Sequence, residues 1–420
     1  MKTRNYILCF ILSVLTSVLF YYNSSKNNVC KNYSDYLMIH SSENCWYEPG
    51  YYGEVPQIVL RRNQSLETYY TVTEDNYILK TFRMVPKCEP KAIVLLDHSF
   101  IANAEMWVDK GDLSLGFYLL ERGYEVWMGN FRGSKYSNTN VKYTVDDYAY
   151  WNFGFHEQGV YDIKSQIDLI KKITNKNDIV FIGYSMAGTS SLVYASLHPE
   201  HAQNSVSALI NVGGVFHLRN MKGLGPDMAN FFYRYKFLEL MNWLRIGSFP
   251  YGTILRLIKF SACNSHPFKY FCIYLYQPLI GFSKTELDAS NAPIIIKKLP
   301  DGGSTKAILH FSQIYNTGGK FRLFDYGLKK NLEHYNSTEP PLYPLNRIKV
   351  PVFTYHGSED FFTDLKDVEE LYQELSPQAK IYGHKEVKGY NHFDLMYGKN
   401  REKDVYEHLL QLLERIRFKN

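Results

Sequence analysis

The stretch Ile179-Val-Phe-Ile-Gly183-Tyr184-Ser185-Met186-Ala187-Gly188 decides the fold. Its opening apolar run, Ile179 to Ile182, reads as a buried strand, and Met186 to Leu197 reads as a helix stopped by Pro199. Between them a serine sits among small residues at a sharp turn, the arrangement of a nucleophile elbow. Small residues at 183 and 187 let strand and helix approach closely, the turn presents the Ser185 hydroxyl, and the helix N-terminus favours developing negative charge. The fifth position is Ala187, so the strict G-x-S-x-G pattern is relaxed. The plain alternative is a buried serine that tolerates a tight turn; the strand before it and the helix after it favour the elbow.

Outward from this point, strands and helices alternate. Thr68 to Val85 alternates apolar and polar residues around Glu74-Asp75-Asn76, an antiparallel hairpin. Ala92–Leu96 and Tyr124–Met128 read as strands with a helix over Leu113–Leu120 between them. A longer helix carries Val160, Ile163, Ile167, Ile170 and Ile173 at steps of three and four, and Ala208–Val212 is a further strand. The alternation breaks between about residues 217 and 345, where the chain is aromatic and Pro-interrupted. It resumes with a strand over Pro351–Tyr355, a helix near Leu365–Leu375, a strand near Lys380–Val387, and an amphipathic helix with Val405, Leu409, Leu412 and Ile416. The pattern predicts a mostly parallel sheet with helices on both faces. The interruption predicts an inserted helical cap over the carboxyl ends of the strands, where such sheets hold ligands.

A serine hydroxyl needs a base to take its proton and a carboxylate to orient that base, and in this fold class the chain order is Ser, acid, His. His392, in Gly389-Tyr-Asn-His392-Phe-Asp394, falls after the last strand and before the terminal helix, so it is the expected base. His384 reads as a solvated or core-edge residue. Asp360 follows its strand through His356-Gly-Ser-Glu359 and is the expected acid, with Glu359 as rival. Asp364 and Asp367 read as residues of a helix N-terminus, and Asp394 as a helper in the His392 loop or a surface group. The amides of Met186 and Phe100 are the expected oxyanion hole, because one donor follows the nucleophile and the other comes from the loop Asp97-His98-Ser99-Phe100. His98 reads as a buried residue holding that loop.

Other chemistries score poorly. His156-Glu157 lacks the second histidine of H-E-x-x-H because position 160 is Val, Gly318-Gly319-Lys320 is no phosphate loop, and no C-x-x-C or G-x-G-x-x-G occurs. No cofactor and no metal is expected. The 420 residues carry 47 basic and 42 acidic side chains, a net charge of +5, too little for a nucleic-acid partner. Aromatics are abundant, with 36 Tyr, 26 Phe and 5 Trp, and between 221 and 260 they combine with six basic and two acidic residues. Such a segment suits docking at an anionic lipid interface; the plain reading is an ordinary cap core with its basic residues in water.

Lys2 and Arg4 precede an apolar run from Tyr6 to Tyr22, a signal peptide or, uncleaved, a signal anchor. The sequons at Asn23, Asn32, Asn63 and Asn336 fit the secretory pathway, the last three as glycosylation candidates. Beyond Cys9 in the leader, Cys263 and Cys272 close a short loop and are the first choice for a disulfide, Cys30 and Cys45 the second, and Cys88 is expected free.

From about Gln64 to the C-terminus the chain resembles the acid lipase family of gastric, lysosomal and insect digestive lipases. The resemblance is carried by Thr71-Val-Thr-Glu-Asp-Asn-Tyr-Ile-Leu79, Gly123-Tyr-Glu-Val-Trp127-Met-Gly-Asn-Phe-Arg-Gly133, Phe155-His-Glu-Gln-Gly-Val-Tyr-Asp162 and Tyr390-Asn-His-Phe-Asp394. It implies an α/β-hydrolase fold with a lid-bearing cap, and hydrolysis of triacylglycerols or sterol esters at a lipid–water interface in a secreted or lysosomal setting. It also implies Ser185, Asp360 and His392 as the triad, Phe100 and Met186 as oxyanion donors, and a cap disulfide with the Cys263–Cys272 spacing. The expected division is a leader at 1–22, an N-terminal segment at 23–63, a hydrolase core at 64–216 and 346–420, and a cap at 217–345. Oligomeric state is left open. Ser99, Ala187 and Ser358 stand where the family has glycine. If those positions have positive φ, strain follows and turnover falls, which keeps a lipid-binding paralogue of low activity in view beside a soluble-ester or thioester hydrolase. Bulky Phe100 and Tyr184 are expected to reshape the acyl pocket.

Overall fold

The computed structural model describes residues 26–235, 237–249 and 269–416. The leader, Asn23 and Cys263 lie outside the described residues. The strands are β1 (Val29–Cys30), β2 (Cys45–Trp46), β3 (Glu67–Val72), β4 (Tyr77–Met84), β5 (Ile93–Asp97), β6 (Glu125–Met128), β7 (Thr139–Asn140), β8 (Ile179–Tyr184), β9 (Val206–Val212), β10 (Ser248–Phe249), β11 (Gly303–Ser304), β12 (Val352–Gly357) and β13 (His384–Val387). The helices used below are α1 (Val55–Arg61), α2 (Leu115–Glu121), α3 (Lys164–Thr174), α4 (Met186–Leu197), α5 (Pro199–Ser205), α6 (Gly225–Arg234), α7 (Phe237–Leu244), α8 (Lys269–Ile280), α9 (Ala292–Lys298), α10 (Thr305–Asn316), α11 (Leu328–Tyr335), α12 (Leu365–Glu374) and α13 (Glu407–Arg415).

A nine-stranded sheet runs β13-β12-β9-β8-β5-β6-β4-β3, with β7 also on β4. From β13 to β6 every pairing is parallel, and β4, β3 and β7 join antiparallel. The central strands are apolar throughout because both faces are covered. Val94, Leu96, Val180 and Ile182 point into one core with Leu119 of α2, Val55 and Ile58 of α1, and Leu409 and Leu412 of α13. Their neighbours Ile93, Leu95, Ile179 and Phe181 point into the other, against Ile167 and Ile170 of α3, Leu192 of α4 and Leu371 of α12. This alternation of odd and even residues is the period-two geometry of a strand. Helix α1 lies upstream of Gln64 yet belongs to the first core.

Several expectations shift in detail. The helix carrying Ile163 begins as a π-turn over Gln158–Ile163 before α3. Strand β13 starts at His384, later than Lys380, because Gly383 turns the chain at φ 69°. Cys30 and Cys45 form a disulfide that joins β1 to β2, and Cys88 is free and exposed. Cys272 is buried and disulfide-bonded. Asn32, Asn63 and Asn336 are all exposed.

The segment 217–345 reaches the carboxyl ends of the strands from both sides. The His392 amide donates to the Ile280 carbonyl at 3.1 Å and the Asn391 side chain to the Gly281 carbonyl at 3.0 Å. On the other side Gly303 of β11 packs against the Phe100 ring.

Candidate active site

Ser185 joins β8 to α4 with φ 57° and ψ −116°, a conformation that non-glycine residues rarely adopt. The turn holds because its surroundings over-determine it. The Ser185 amide donates to the Val212 carbonyl at 2.9 Å, and the Gly188 amide returns to the Ser185 carbonyl at 2.9 Å. A Cβ at Gly183 would lie 2.8 Å from the Ala187 carbonyl carbon, so only glycine permits strand and helix to meet this closely.

Asp360 lies at the carboxyl end of β12 and His392 in the loop after β13. Gly357 lets these two loops touch, since a Cβ there would stand 2.1 Å from the Tyr390 carbonyl oxygen. His392 Nε2 is 2.8 Å from Ser185 Oγ, and its Nδ1 is 2.8 Å from Asp360 Oδ2. All three side chains are at least nine-tenths buried. A carboxylate accepts only, so Nδ1 donates to Asp360, and Nε2 presents its lone pair to the serine hydroxyl. The other carboxylate oxygen, Oδ1, accepts from the amides of Phe362 at 2.8 Å and Thr363 at 3.1 Å. The arrangement can deprotonate Ser185 as it attacks an acyl carbon.

His392 is fixed on every side. Tyr184 donates its hydroxyl to the His392 carbonyl at 2.9 Å and stacks under the ring at 5.4 Å, and the Phe362 ring meets it edge-on at 5.2 Å. Tyr184 is therefore buried beneath the base rather than spread across an acyl pocket. Asp394 opens a short helical turn, Asp394–Tyr397, directly after the His392 loop: it accepts from the Asn391 amide at 2.9 Å, and burial pushes its carboxyl up to about 6.

Met186 is the first residue of α4, where an amide has no intrahelical acceptor. Phe100 stands in the loop after β5. That loop is held by His98, whose Nδ1 is 2.9 Å from the Ser99 carbonyl and whose Nε2 accepts from the Phe131 amide at 3.0 Å. Burial pushes this imidazole down to about 4, which keeps it neutral and able to accept. Asp97, just before it, is fully buried, and burial raises its carboxyl well above the usual range. The next residue but three, Ile101, sits at φ 55°, costly for a β-branched side chain.

The rivals fall elsewhere. Glu359 is exposed and its amide is tied to the Tyr390 carbonyl, and His384 is exposed on the edge strand. Asp364 caps α12 by accepting from the Lys366 amide at 3.0 Å. Asp367 lies in the first turn of α12 as expected, and its two oxygens accept from Asn220, through the backbone amide at 3.1 Å and the side chain at 2.6 Å. Ser99, Ala187 and Ser358 do not have positive φ, so the strain expected from their replacing glycine does not arise. In the elbow and the loop after β5, positive φ falls instead on Ser185 and Ile101. The Tyr184 support and the Ile280–Gly281 tether had no signal in the sequence, since both depend on contacts between distant segments.

The sequence pattern of the family described as "alpha/beta hydrolase fold" matches residues 92–399, and that described as "Partial alpha/beta-hydrolase lipase region" matches residues 55–111. Lipase member K of Mus musculus is 28% identical over 83% of this chain and 87% of its own length. Gastric triacylglycerol lipase of Rattus norvegicus is 28% identical over 86% of this chain and 91% of its own. A solved structure from Sulfolobus solfataricus superposes with a TM-score of 0.56 at 17% identity, covering 84% of this chain and 94% of that one, which speaks for the fold alone.

Proposed function

The chain belongs to the α/β-hydrolase fold family, among the acid lipases, and from that premise we propose that it hydrolyses neutral lipid esters through an acyl-enzyme on Ser185. The reading rests above all on the hydrogen-bonded sequence Asp360–His392–Ser185, with 2.8 Å at each step. Ser185 Oγ attacks the ester carbonyl carbon while His392 Nε2 takes its proton. The tetrahedral oxyanion is received by the amides of Met186 and Phe100, and Asp360 holds the imidazolium that forms. Collapse expels the alcohol, which takes the proton from Nε2. Water, deprotonated by the same nitrogen, then attacks the acyl carbon, and the fatty acid leaves with Ser185 restored.

A lipid substrate is supported by the apolar surface of α6 and α7. Phe231, Tyr235 and Trp243 are 52%, 71% and 79% exposed, beside Leu240 and Leu244. This surface begins at the rim of the site, where Gly223 packs against Phe361, next to Asp360. We assign residues 217–345 as the cap, and this face of it as the part that meets lipid. Entry into the secretory pathway is supported by the leader, the Cys30–Cys45 disulfide and the exposed sequons.

The test is fatty acid release from emulsified triolein and cholesteryl oleate by the purified protein and by Ser185→Ala. Release by the wild type and none by the variant is expected. Equal release by both would overturn the reading, and a downward shift in mass on glycosidase treatment checks the secretory assignment.

A further inference from the structure

Where the chain leaves the sheet for the segment 217–345, three ligand-bearing side chains converge. His217 stands five residues beyond the end of β9 and is 1% exposed. Its Nδ1 lies 2.7 Å from the Gly319 carbonyl oxygen, which can only accept, so this nitrogen carries the ring proton. Nε2 is left with its lone pair, buried and without a hydrogen-bond partner. It faces Glu374, whose Oε2 is 3.8 Å away. Glu370 lies one turn earlier on α12, and one oxygen from each glutamate and Nε2 all lie within 4.8 Å of one another.

A lone pair turned toward two carboxylates calls for positive charge between them. Arg219 supplies none to Nε2: its guanidinium binds Glu370 Oε1 at 2.9 Å from a half-exposed position. Asp367, on the same helix, is already taken by Asn220. We infer that a divalent transition cation of the zinc class binds between His217 Nε2, Glu370 and Glu374. One imidazole nitrogen with two carboxylate oxygens is a donor set that suits zinc, and glutamates four residues apart project from one face of a helix. Zinc bonds of about 2.0–2.2 Å place tetrahedral ligands roughly 3.4 Å apart, so the glutamates close in by on the order of 1 Å. Their side chains are 26% and 47% exposed, with room to make that movement, and Arg219 keeps one oxygen of Glu370. His217 is already pinned by Gly319, so the ring is oriented before the metal arrives.

The site shares no residue with Ser185, His392 and Asp360. Its chemistry is structural: it fastens the entry of the segment 217–345 to the core helix α12. The rival occupant is a proton on Nε2, giving an imidazolium–Glu374 pair, and the experiment separates the two. The full-length protein is treated with EDTA, dialysed against ZnCl2 and analysed for bound metal, with thermal unfolding followed in parallel. One zinc per chain at low-micromolar concentration is expected, with an unfolding temperature raised by Zn2+ and not by Mg2+. The double variant Glu370→Gln/Glu374→Gln, changed only at solvent-accessible side chains, should keep its ester hydrolysis and bind that zinc more than about tenfold more weakly. Failure of the wild type to retain zinc, or the same stoichiometry and affinity in the double variant, would overturn the inference.

Discussion

Asp360→Asn isolates what the carboxylate does. In the wild type, Oδ1 accepts two amide hydrogens, from Phe362 and Thr363, and Oδ2 faces His392 Nδ1. The single oxygen of asparagine is held on the side of those amides, because turning it would press its NH2 against two donors. The NH2 therefore faces Nδ1, which must become an acceptor, and the ring proton moves to Nε2. A protonated Nε2 cannot take the proton of Ser185. The expected loss in kcat is about 10⁴-fold, the scale of an enforced wrong tautomer, or about 5 kcal/mol of barrier. Shape and the two amide contacts are retained, so the fold should survive. The assay is hydrolysis of a soluble p-nitrophenyl ester beside triolein, with near-ultraviolet circular dichroism as the check on folding. A folded variant that loses less than about tenfold would refute the role given to Asp360.

The strained serine predicts that Ser185→Gly is more stable than Ser185→Ala by about 1 kcal/mol, since glycine accepts φ 57° without penalty; equal urea midpoints would contradict this. Phe231→Ser/Trp243→Ser should cut hydrolysis of emulsified triolein severalfold and leave a soluble short-chain ester within about twofold; equal losses on both substrates would count against the lipid-facing surface. His98 contributes a pH dependence. Its folded value of about 4 lies below the ordinary 6.5, so the unfolded chain takes the proton first as pH falls. Stability is therefore full above 6.5 and lost toward 4, by up to about 3 kcal/mol. Urea unfolding of the wild type and of His98→Gln across that window should show the smaller pH slope in the variant.

The fold is legible in the sequence where the determining contacts are local. The run Ile179 to Ile182, the small residues around Ser185 and the helix that follows are contiguous, so strand, turn and helix can be read together. Asp360 and His392 were legible because each follows a strand in the order such a site requires. What could not be read depends on distant pairs. Tyr184 reads as a bulky intrusion until its hydroxyl is seen to meet the carbonyl of His392, 208 residues away. Asp367 is legible as a first-turn residue of α12, but its partner Asn220, 147 residues upstream, is not. The φ values at Ser99, Ala187 and Ser358 are hidden from the sequence for a related reason. Residue type says where positive φ is cheap, but the chain path decides where it is needed, and around the candidate site it is needed at Ser185 and Ile101. The His217 cluster carries no spacing motif, because its ligands come from two elements joined only by the fold.

Everything proposed for this site depends on covalent acylation of Ser185. Rapid acid quench of the enzyme during turnover of a p-nitrophenyl ester, followed by peptide mass spectrometry, tests it most directly. The expected result is an acyl adduct on the peptide containing Ser185 that decays with turnover and is absent in Ser185→Ala. Turnover with no adduct there, or with the adduct on another residue, would contradict it.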